Sequence, residues 1–499
     1  MTMKVSKKQA SRPARIYFSD FFGVSPQQLA DYGAFNVSPV VDLPLFIDPF
    51  LLFTSDKPEY QKLHADIIAY LKFLRDKSAG GQVSTGLLKA WFCFHEVHQN
   101  CLGFCLNGNK GAGLGLGFAK ALNSNLRDLF RDFGDEQVTK CSHLEKLMLI
   151  RERVGKDNIS DFTTNLIKGF LLQYTETFAK QFIDPAKLKE VPVSHVSFDF
   201  TIGAWRSSKF TLPWLGNDYV LLTPEDILTK DETWINKEDL REEFPRIREA
   251  LDNDALRAQV DQYFSSLLKK DATAKEERAA IEKTLRKFPA IIDHYIRSKE
   301  DRGDEAIRRS RLRVDEVESR FVKNLSYLAQ IIADHTKFYA TPETTLEECK
   351  KKIDWLKHVI ENQDGYRLFY DNAGTPIKRE KDLQIAFKLV WHGSPSSVDA
   401  EVNNGRGPVD FKISRGASDS TLVEFKLASN SKLESNLAKQ VEIYKAANNT
   451  KQSYKVVLFF DAPEEKKIKD VLKTLKATED TGIILVDGRR DNKPSASKA

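Results

Sequence analysis

The sequence predicts an α/β multidomain protein: a mixed α/β N-terminal domain, a charged helical middle and a compact C-terminal core ordered α-β-β-β-α-β. Three observations predict this. The chain has 499 residues, too many for one ordinary hydrophobic core, so two or three domains are expected. Its composition is 41% hydrophobic, 29% charged and 10% aromatic, which is that of a globular protein. Apolar residues recur at helical spacing through the middle of the chain and alternate with polar ones over Val409–Ser414 and Val423–Leu427.

The first domain spans residues 1–240, with a recognition or regulatory role left open. Helical patterns over Tyr60–Lys77 and Asn165–Phe182 precede the strand-like runs "VSFDF", "KFTLPW" and "DYVLL". The basic start, "MTMKVSKKQASRPARIYFSDFF", lacks the continuous apolar core of a secretory signal. No apolar run reaches the roughly 18 residues of a membrane span, so no membrane partner is expected. Five cysteines, Cys93, Cys101, Cys105, Cys141 and Cys349, are few and odd in number, which fits a reducing cytoplasm. The formal net charge is +5, and the stretch from Gly365 onward holds 23 Lys and Arg against 18 Asp and Glu, a difference equal to that excess. Such a local bias is compatible with a polyanionic partner.

Residues 241–363 read as a solvated helical bundle or connector, with apolar residues at helical spacing and charges elsewhere. A coiled-coil dimerisation arm is the lesser alternative, because no clean heptad persists over several turns. Pro342 breaks the chain, and Thr344-x-x-Glu347 has the form of a capping box opening a helix to about Glu361. Residues 364–490 form the C-terminal domain, after which residues 491–499 are expected to be a disordered tail. Asn372-Ala373-Gly374 signals a turn. A helix is expected over Lys378–Trp391, strands over Ser397–Asn403, Pro408–Ser414 and Thr421–Ala428, and a helix over Lys432–Ala447 opened by Ser431-x-x-Glu434. A strand at Tyr454–Phe460, a helix at Glu464–Lys476 and a strand at Gly482–Val486 complete it.

Chemistry concentrates in this last domain. Val423, Phe425 and Leu427 point to one face of their strand, and Glu424 and Lys426 to the other. Val409, Phe411 and Ile413 are likewise opposed to Asp410, Lys412 and Ser414. A hairpin with one wet face would explain that much. Two inward polar residues argue for more. The stripe Leu433, Leu437, Val441, Tyr444 puts Gln440 on the inward side of its helix, where an unpaired amide costs about 1–3 kcal/mol. Glu380 continues the buried stripe of Leu383, Phe387 and Val390. Two carboxylates on neighbouring strands with a backbone carbonyl supply the hard oxygen donors that Mg²⁺ prefers. Phosphodiester hydrolysis needs such a cation to offset developing charge and activate water. A lysine two residues from one ligand shares its face and is placed to stabilise the phosphate.

Pro408-Val409-Asp410, followed by Glu424-Phe425-Lys426, resembles the PD-(D/E)XK, or restriction-endonuclease-like, nuclease superfamily, and the α-β-β-β-α-β order is similar to that superfamily's core. Val409 between proline and aspartate is a departure seen in some branches. Gln440-x-x-x-Tyr444 resembles the corresponding element of the RecB-like branch. The likeness covers only about Gly365–Asp487. It implies that Asp410, Glu424 and the Phe425 carbonyl hold Mg²⁺, with Mn²⁺ as a substitute, and that Lys426 activates or positions water. Glu380 would be an accessory metal or water ligand. Gln440 would orient the strand residues or touch substrate, and Tyr444 would support nucleic-acid contact. Arg406 and Lys412 are candidates for phosphate contacts, equally readable as solvated charges.

Other motifs favour structural readings. "WFCFHEVHQNCLGFC" packs Cys93, His95, His98, Cys101 and Cys105 together, but without the paired spacing and turn of a zinc site, and reads as a buried helix or strand. "GNKGAGLGLGF" lacks the Gly-Lys-Ser/Thr ending of a P-loop and reads as a turn. In "VGKDNISDFTTNLI", Ser160 or Asp161 is suited to a helix N-cap. The expected function is a Mg²⁺-dependent, cytoplasmic nuclease acting on nucleic acid, DNA favoured, in prokaryotic restriction or anti-phage defence, with a homo-oligomer compatible. A DNA-repair nuclease and a non-catalytic nucleic-acid-binding scaffold are the alternatives.

Overall fold

The computed structural model describes residues 15–103, 113–149, 156–230, 232–268, 272–335, 344–371, 373–391, 396–403, 408–415, 419–446, 453–477 and 482–493. The protein is mixed α/β, with two small sheets in its N-terminal part and one larger sheet near its C-terminal end. The expected break at Pro342 and most of the expected tail lie outside the described residues.

In the N-terminal part, β1 (Leu45–Ile47) pairs antiparallel with β5 (Leu228–Lys230). A second sheet joins β2 (Leu188–Asp199), β3 (Ala204–Leu215) and β4 (Asp218–Tyr219) in that order. The "VSFDF" run is thus the end of a longer strand, and "DYVLL" contributes only its first two residues to a ladder. The β2–β3 turn closes through Gly203 at φ +62° and through the Asp199 carboxylate, which accepts from Thr201 N at 2.9 Å. Helix Pro58–Ala79 covers the first predicted periodic stretch; of the second, Lys168–Phe182 forms a helix, while Asn165 and Leu166 end the preceding one, Lys156–Leu166. Aromatic contacts fill the space between elements: the Tyr70 ring lies 4.8 Å from Phe198 and 5.3 Å from Trp205.

Two local expectations fail here. The segment from Phe92 to Cys101 is neither helix nor strand but irregular chain with one short 3₁₀ turn, His98–Asn100. Its alternating aromatics, Phe92 and Phe94, are buried, whereas His95 is exposed. Neither Ser160 nor Asp161 caps a helix, because the helix Lys156–Leu166 already includes both. The Ser160 hydroxyl instead accepts from Ile47 N at 3.0 Å and ties that helix to β1.

The middle is helical, from Lys237–Glu249 through Asp254–Leu267, Ala274–Lys287, Ala290–Glu300 and Gly303–Val317 to Leu325–His335. The last two are continuous through a π-helical stretch, Glu318–Asn324. That stretch carries Arg320, whose guanidinium reaches Glu316 at 2.9 Å and Asp382 at 3.1 Å. The Arg320 and Asp382 side chains are only 6% and 4% exposed. Removing one member of such a buried pair strands its partner, at a cost of about 3–5 kcal/mol. Arg320→Ala is therefore expected to lose stability of that order in urea denaturation. A loss below about 1 kcal/mol, the range of an exposed pair, would show that this pair does not join the middle to the C-terminal domain.

The C-terminal sheet has the order β10-β9-β8-β7-β6. Strands β6 (Ser397–Asn403), β7 (Pro408–Arg415) and β8 (Asp419–Leu427) form an antiparallel meander, and β9 (Ser453–Phe459) and β10 (Ile483–Asp487) add in parallel. Side-chain alternation divides the sheet into two apolar faces. Phe411, Ile413, Val423, Phe425, Val456 and Leu458 belong to one core, shared with helices Thr345–Asn362 and Glu380–Trp391. Val457 and Phe459 belong to the other, with Leu433, Leu437 and Ile468 from helices Leu433–Ala446 and Ala462–Thr474. The result is a three-layer α/β/α sandwich.

Thr344 caps the helix Thr345–Asn362, accepting from Glu347 N at 3.2 Å. This helix, placed by sequence in the connector, lies on the C-terminal sheet: Thr345 bonds Asp419, and Lys357 Nζ donates to Leu485 O at 2.7 Å. Ser431 does not cap the next helix, which begins only at Leu433. Asn430 takes over the turn, accepting from Lys432 N at 2.8 Å.

Candidate active site

The site forms where two strands part. Between Arg415/Asp419 and Phe411/Val423, β7 and β8 pair regularly, and there the ladder ends. From Leu422 to Leu427, β8 pairs instead with β9. At the split the Phe425 N–H has no β7 carbonyl to meet, and the Asp410 carboxylate accepts it at 2.6 Å. The charged face thus opens beside a fixed carboxylate.

Four further charged groups converge. Lys426 Nζ lies 3.1 Å from Glu380, 3.2 Å from Glu424 and 4.0 Å from Asp410. Lys455, opposite Glu424 in the parallel register, holds the second Glu424 oxygen at 2.9 Å and also donates to Asn436 O. Glu380, at the start of its helix, accepts from Asn430 Nδ2 at 2.6 Å and from Leu427 N at 3.4 Å. Gln384, one helical turn on, hydrogen-bonds Asp410.

This arrangement separates the carboxylates electrostatically. Burial pushes Asp410 up to about 6; Lys426 and the Phe425 N–H oppose that and Glu424 adds to it. Glu424 is buried too, yet Lys455 and Lys426 hold it below the usual carboxylate range. Burial works against the Lys426 ammonium, but Asp410, Glu424 and Glu380 together raise its pKa. Among the described residues of the site three carboxylates face two ammoniums, a net charge of one negative.

Asp410, Glu424, Lys426 and Glu380, singled out in the sequence, therefore meet in one place, with Phe425 supplying its backbone between them. Lys412 shares the Asp410 face of β7, half-buried and two residues away. Gln440 and Tyr444 fall in the helix Leu433–Ala446, but their side chains lie outside the described residues, as does all of Arg406. Lys455, Gln384 and Asn430 were not anticipated. Gln384 was accessible from its spacing to Glu380, and Lys455 stands out as a lysine only 5% exposed within an apolar strand.

Among the described residues no group of three or more His, Cys, Asp or Glu side chains is arranged to hold a metal ion; at this site the Lys426 ammonium lies among the acids. The donor chemistry nonetheless suits a hard cation. Asp410 and Glu424 offer carboxylate oxygens from neighbouring strands, and the net negative charge calls for a positive one. The four described cysteines, Cys93, Cys101, Cys141 and Cys349, are free thiols. Among the described residues no helix is long and apolar enough to cross a membrane.

Residues 23–236 match a family model described as Domain of unknown function (DUF8370), and residues 345–462 match a second, Domain of unknown function (DUF8371). The second match begins with the helix that lies on the C-terminal sheet and contains every charged residue of the site. No curated protein and no solved structure matches the chain.

Proposed function

We propose that the C-terminal domain is a divalent-cation-dependent nuclease that hydrolyses phosphodiester bonds of nucleic acid, DNA favoured. The observation that carries this reading is the convergence of Asp410, Glu424 and Lys426 where β7 and β8 part. Asp410 and Glu424 would hold Mg²⁺ or Mn²⁺ together with the Phe425 carbonyl, and Glu380 would be an accessory ligand. A cation there supplies Lewis acidity, offsetting the charge that builds on a phosphodiester under attack.

The chain's own residues do the rest. Lys426 directs N–H donors at the phosphate oxygens and the attacking water. Glu380 and Glu424 hold that ammonium in place. Gln384 and the Phe425 N–H fix the Asp410 carboxylate, and Lys455 keeps Glu424 ionised. A module that only bound nucleic acid would gain nothing from three clustered carboxylates, which repel a polyanion unless a cation intervenes. A nuclease tied to the helical middle through the buried Arg320–Asp382 pair suits controlled cutting in the cytoplasm, as in restriction or anti-phage defence; DNA repair would use the same chemistry.

The test is cleavage by the full chain of linear and circular duplex DNA, single-stranded DNA and RNA, in Mg²⁺, Mn²⁺ or EDTA. Metal-dependent cutting absent in Asp410→Ala is expected. Cutting that survives EDTA or that substitution would overturn the assignment. So would a wild type that neither cuts nor takes up Mg²⁺ by calorimetry with nucleic acid present.

A further inference from the structure

A second site lies in the N-terminal part and does not depend on the nuclease reading. Three stretches with structural readings in the sequence meet there around one cavity of 840 Å³. The irregular Cys93–Gln99 segment forms one wall, Leu114 and Gly115 a second, and Asn165 and Lys168 a third, with Pro192–His195 of β2 closing it. This volume falls within the roughly 300–1,000 Å³ of small-ligand pockets.

The walls are fixed by close backbone approaches. Leu114 and Phe94 exchange backbone hydrogen bonds at 2.8 and 3.0 Å, and Asn165 Nδ2 donates to His95 O at 3.0 Å. A Cβ on Gly113 would stand 2.7 Å from Phe94 O, and one on Gly169 2.7 Å from Val196 O. The β2–β3 register shifts between Val193 and Ser197, and within that bulge His195 adopts φ +56°, a conformation that costs a non-glycine residue about 1–3 kcal/mol. The strain is localised at the cavity wall.

The lining is basic on one side and apolar on the other. Lys89, Lys168, His95, His98 and His195 line it, with Glu96 the one carboxylate among the described lining residues. Asp218 pairs with His98 at 2.9 Å. Lys168 Nζ donates to Ser194 O at 2.9 Å, which uses one of its three N–H bonds. Burial first, then Lys168 and His95, lower the pKa of His195, and burial lowers that of Lys168. Asp218 opposes burial at Lys168, and a phosphate bound beside these nitrogens would favour their protonated forms further. The helix Leu116–Asp128 also begins here, capped by Gly115, which has no side chain to take its first N–H groups. Phe94, Val97, Leu114 and Tyr219 supply the apolar wall.

We infer that this cavity binds a nucleotide, with the phosphate held by Lys168 and His195 and the base against the apolar wall. The experiment is calorimetric titration of the full chain in EDTA with AMP, ATP, pyrophosphate and a 5′-phosphorylated hexanucleotide. Saturable one-site binding of a mononucleotide is expected. Lys168→Gln and His195→Ala should each weaken it at least about tenfold, the effect of one lost charge-assisted hydrogen bond, with an unchanged melting temperature as the check on folding. Asp410→Ala should bind as the wild type does. The inference is overturned if no mononucleotide binds, if both N-terminal variants bind normally, if Asp410→Ala abolishes binding, or if the hexanucleotide binds more tightly than any mononucleotide.

Discussion

Lys426→Ala is expected to slow cleavage by about 10²–10³-fold and, in the same protein, to create a dependence of stability on divalent cations. Removing a donor aimed at a developing anion typically costs about 10²–10³ in rate. The second effect follows from the packing. The ammonium stands 3.1 Å from Glu380, 3.2 Å from Glu424 and 4.0 Å from Asp410. Without it, Lys455 is the one cation left beside these carboxylates among the described residues, and it reaches Glu424 alone. Their side chains are between 15% and 28% exposed, so solvent softens the repulsion. A loss of about 2–4 kcal/mol in EDTA is expected, below the full cost of stranding buried charges. Millimolar Mg²⁺ should then raise the melting temperature of the variant more than that of the wild type, because the cation replaces the missing charge. Equal Mg²⁺ responses in the two proteins would show that the carboxylates do not form a common cation site. Undiminished cleavage would remove Lys426 from the chemistry.

The C-terminal sheet was legible because each strand carries its own instruction. Phe411 and Ile413, or Val423 and Phe425, alternate with charge, and strict alternation fixes both the strand and its faces. The site was legible to the same depth: Asp410, Glu424 and Lys426 lie within a single hairpin, and Glu380 is given away by its helical stripe. Lys455 was not, since its place beside Glu424 depends on a parallel pairing between segments separated by a helix. Cap motifs misled where tertiary contacts compete with them. Asn430 is drawn to Glu380 and starts the turn in place of Ser431, and Ser160 is used by β1. The N-terminal cavity was illegible for the strongest reason. Its walls come from five separated segments, each of which reads alone as loop or core.

Acid should destabilise the protein through His64, and His64→Gln should remove that part of the response. His64 is 4% exposed, with its ring 5.4 Å from Phe53 and 5.5 Å from His143. His143 is itself bonded to Glu300 at 2.9 Å. Burial, and then the proximity of His143, lower the His64 pKa from 6.5 to about 3. The unfolded chain therefore takes up a proton near pH 6.5 that the native state refuses until about pH 3. In that window the unfolded state binds more protons, so stability rises with pH and is lost as pH falls from 6.5 towards 3. The slope is about 1.4 kcal/mol per pH unit, or roughly 3 kcal/mol by pH 4. Asp48, buried near Glu145 and raised to about 6, contributes with the opposite sign, because its protonated form is favoured in the native state. That contribution is common to both proteins and drops out of their difference. Urea denaturation between pH 4 and 7.5 should thus give a shallower acid limb for His64→Gln, whatever its stability at neutral pH. Parallel curves would mean that the proton uptake driving acid unfolding occurs at other groups.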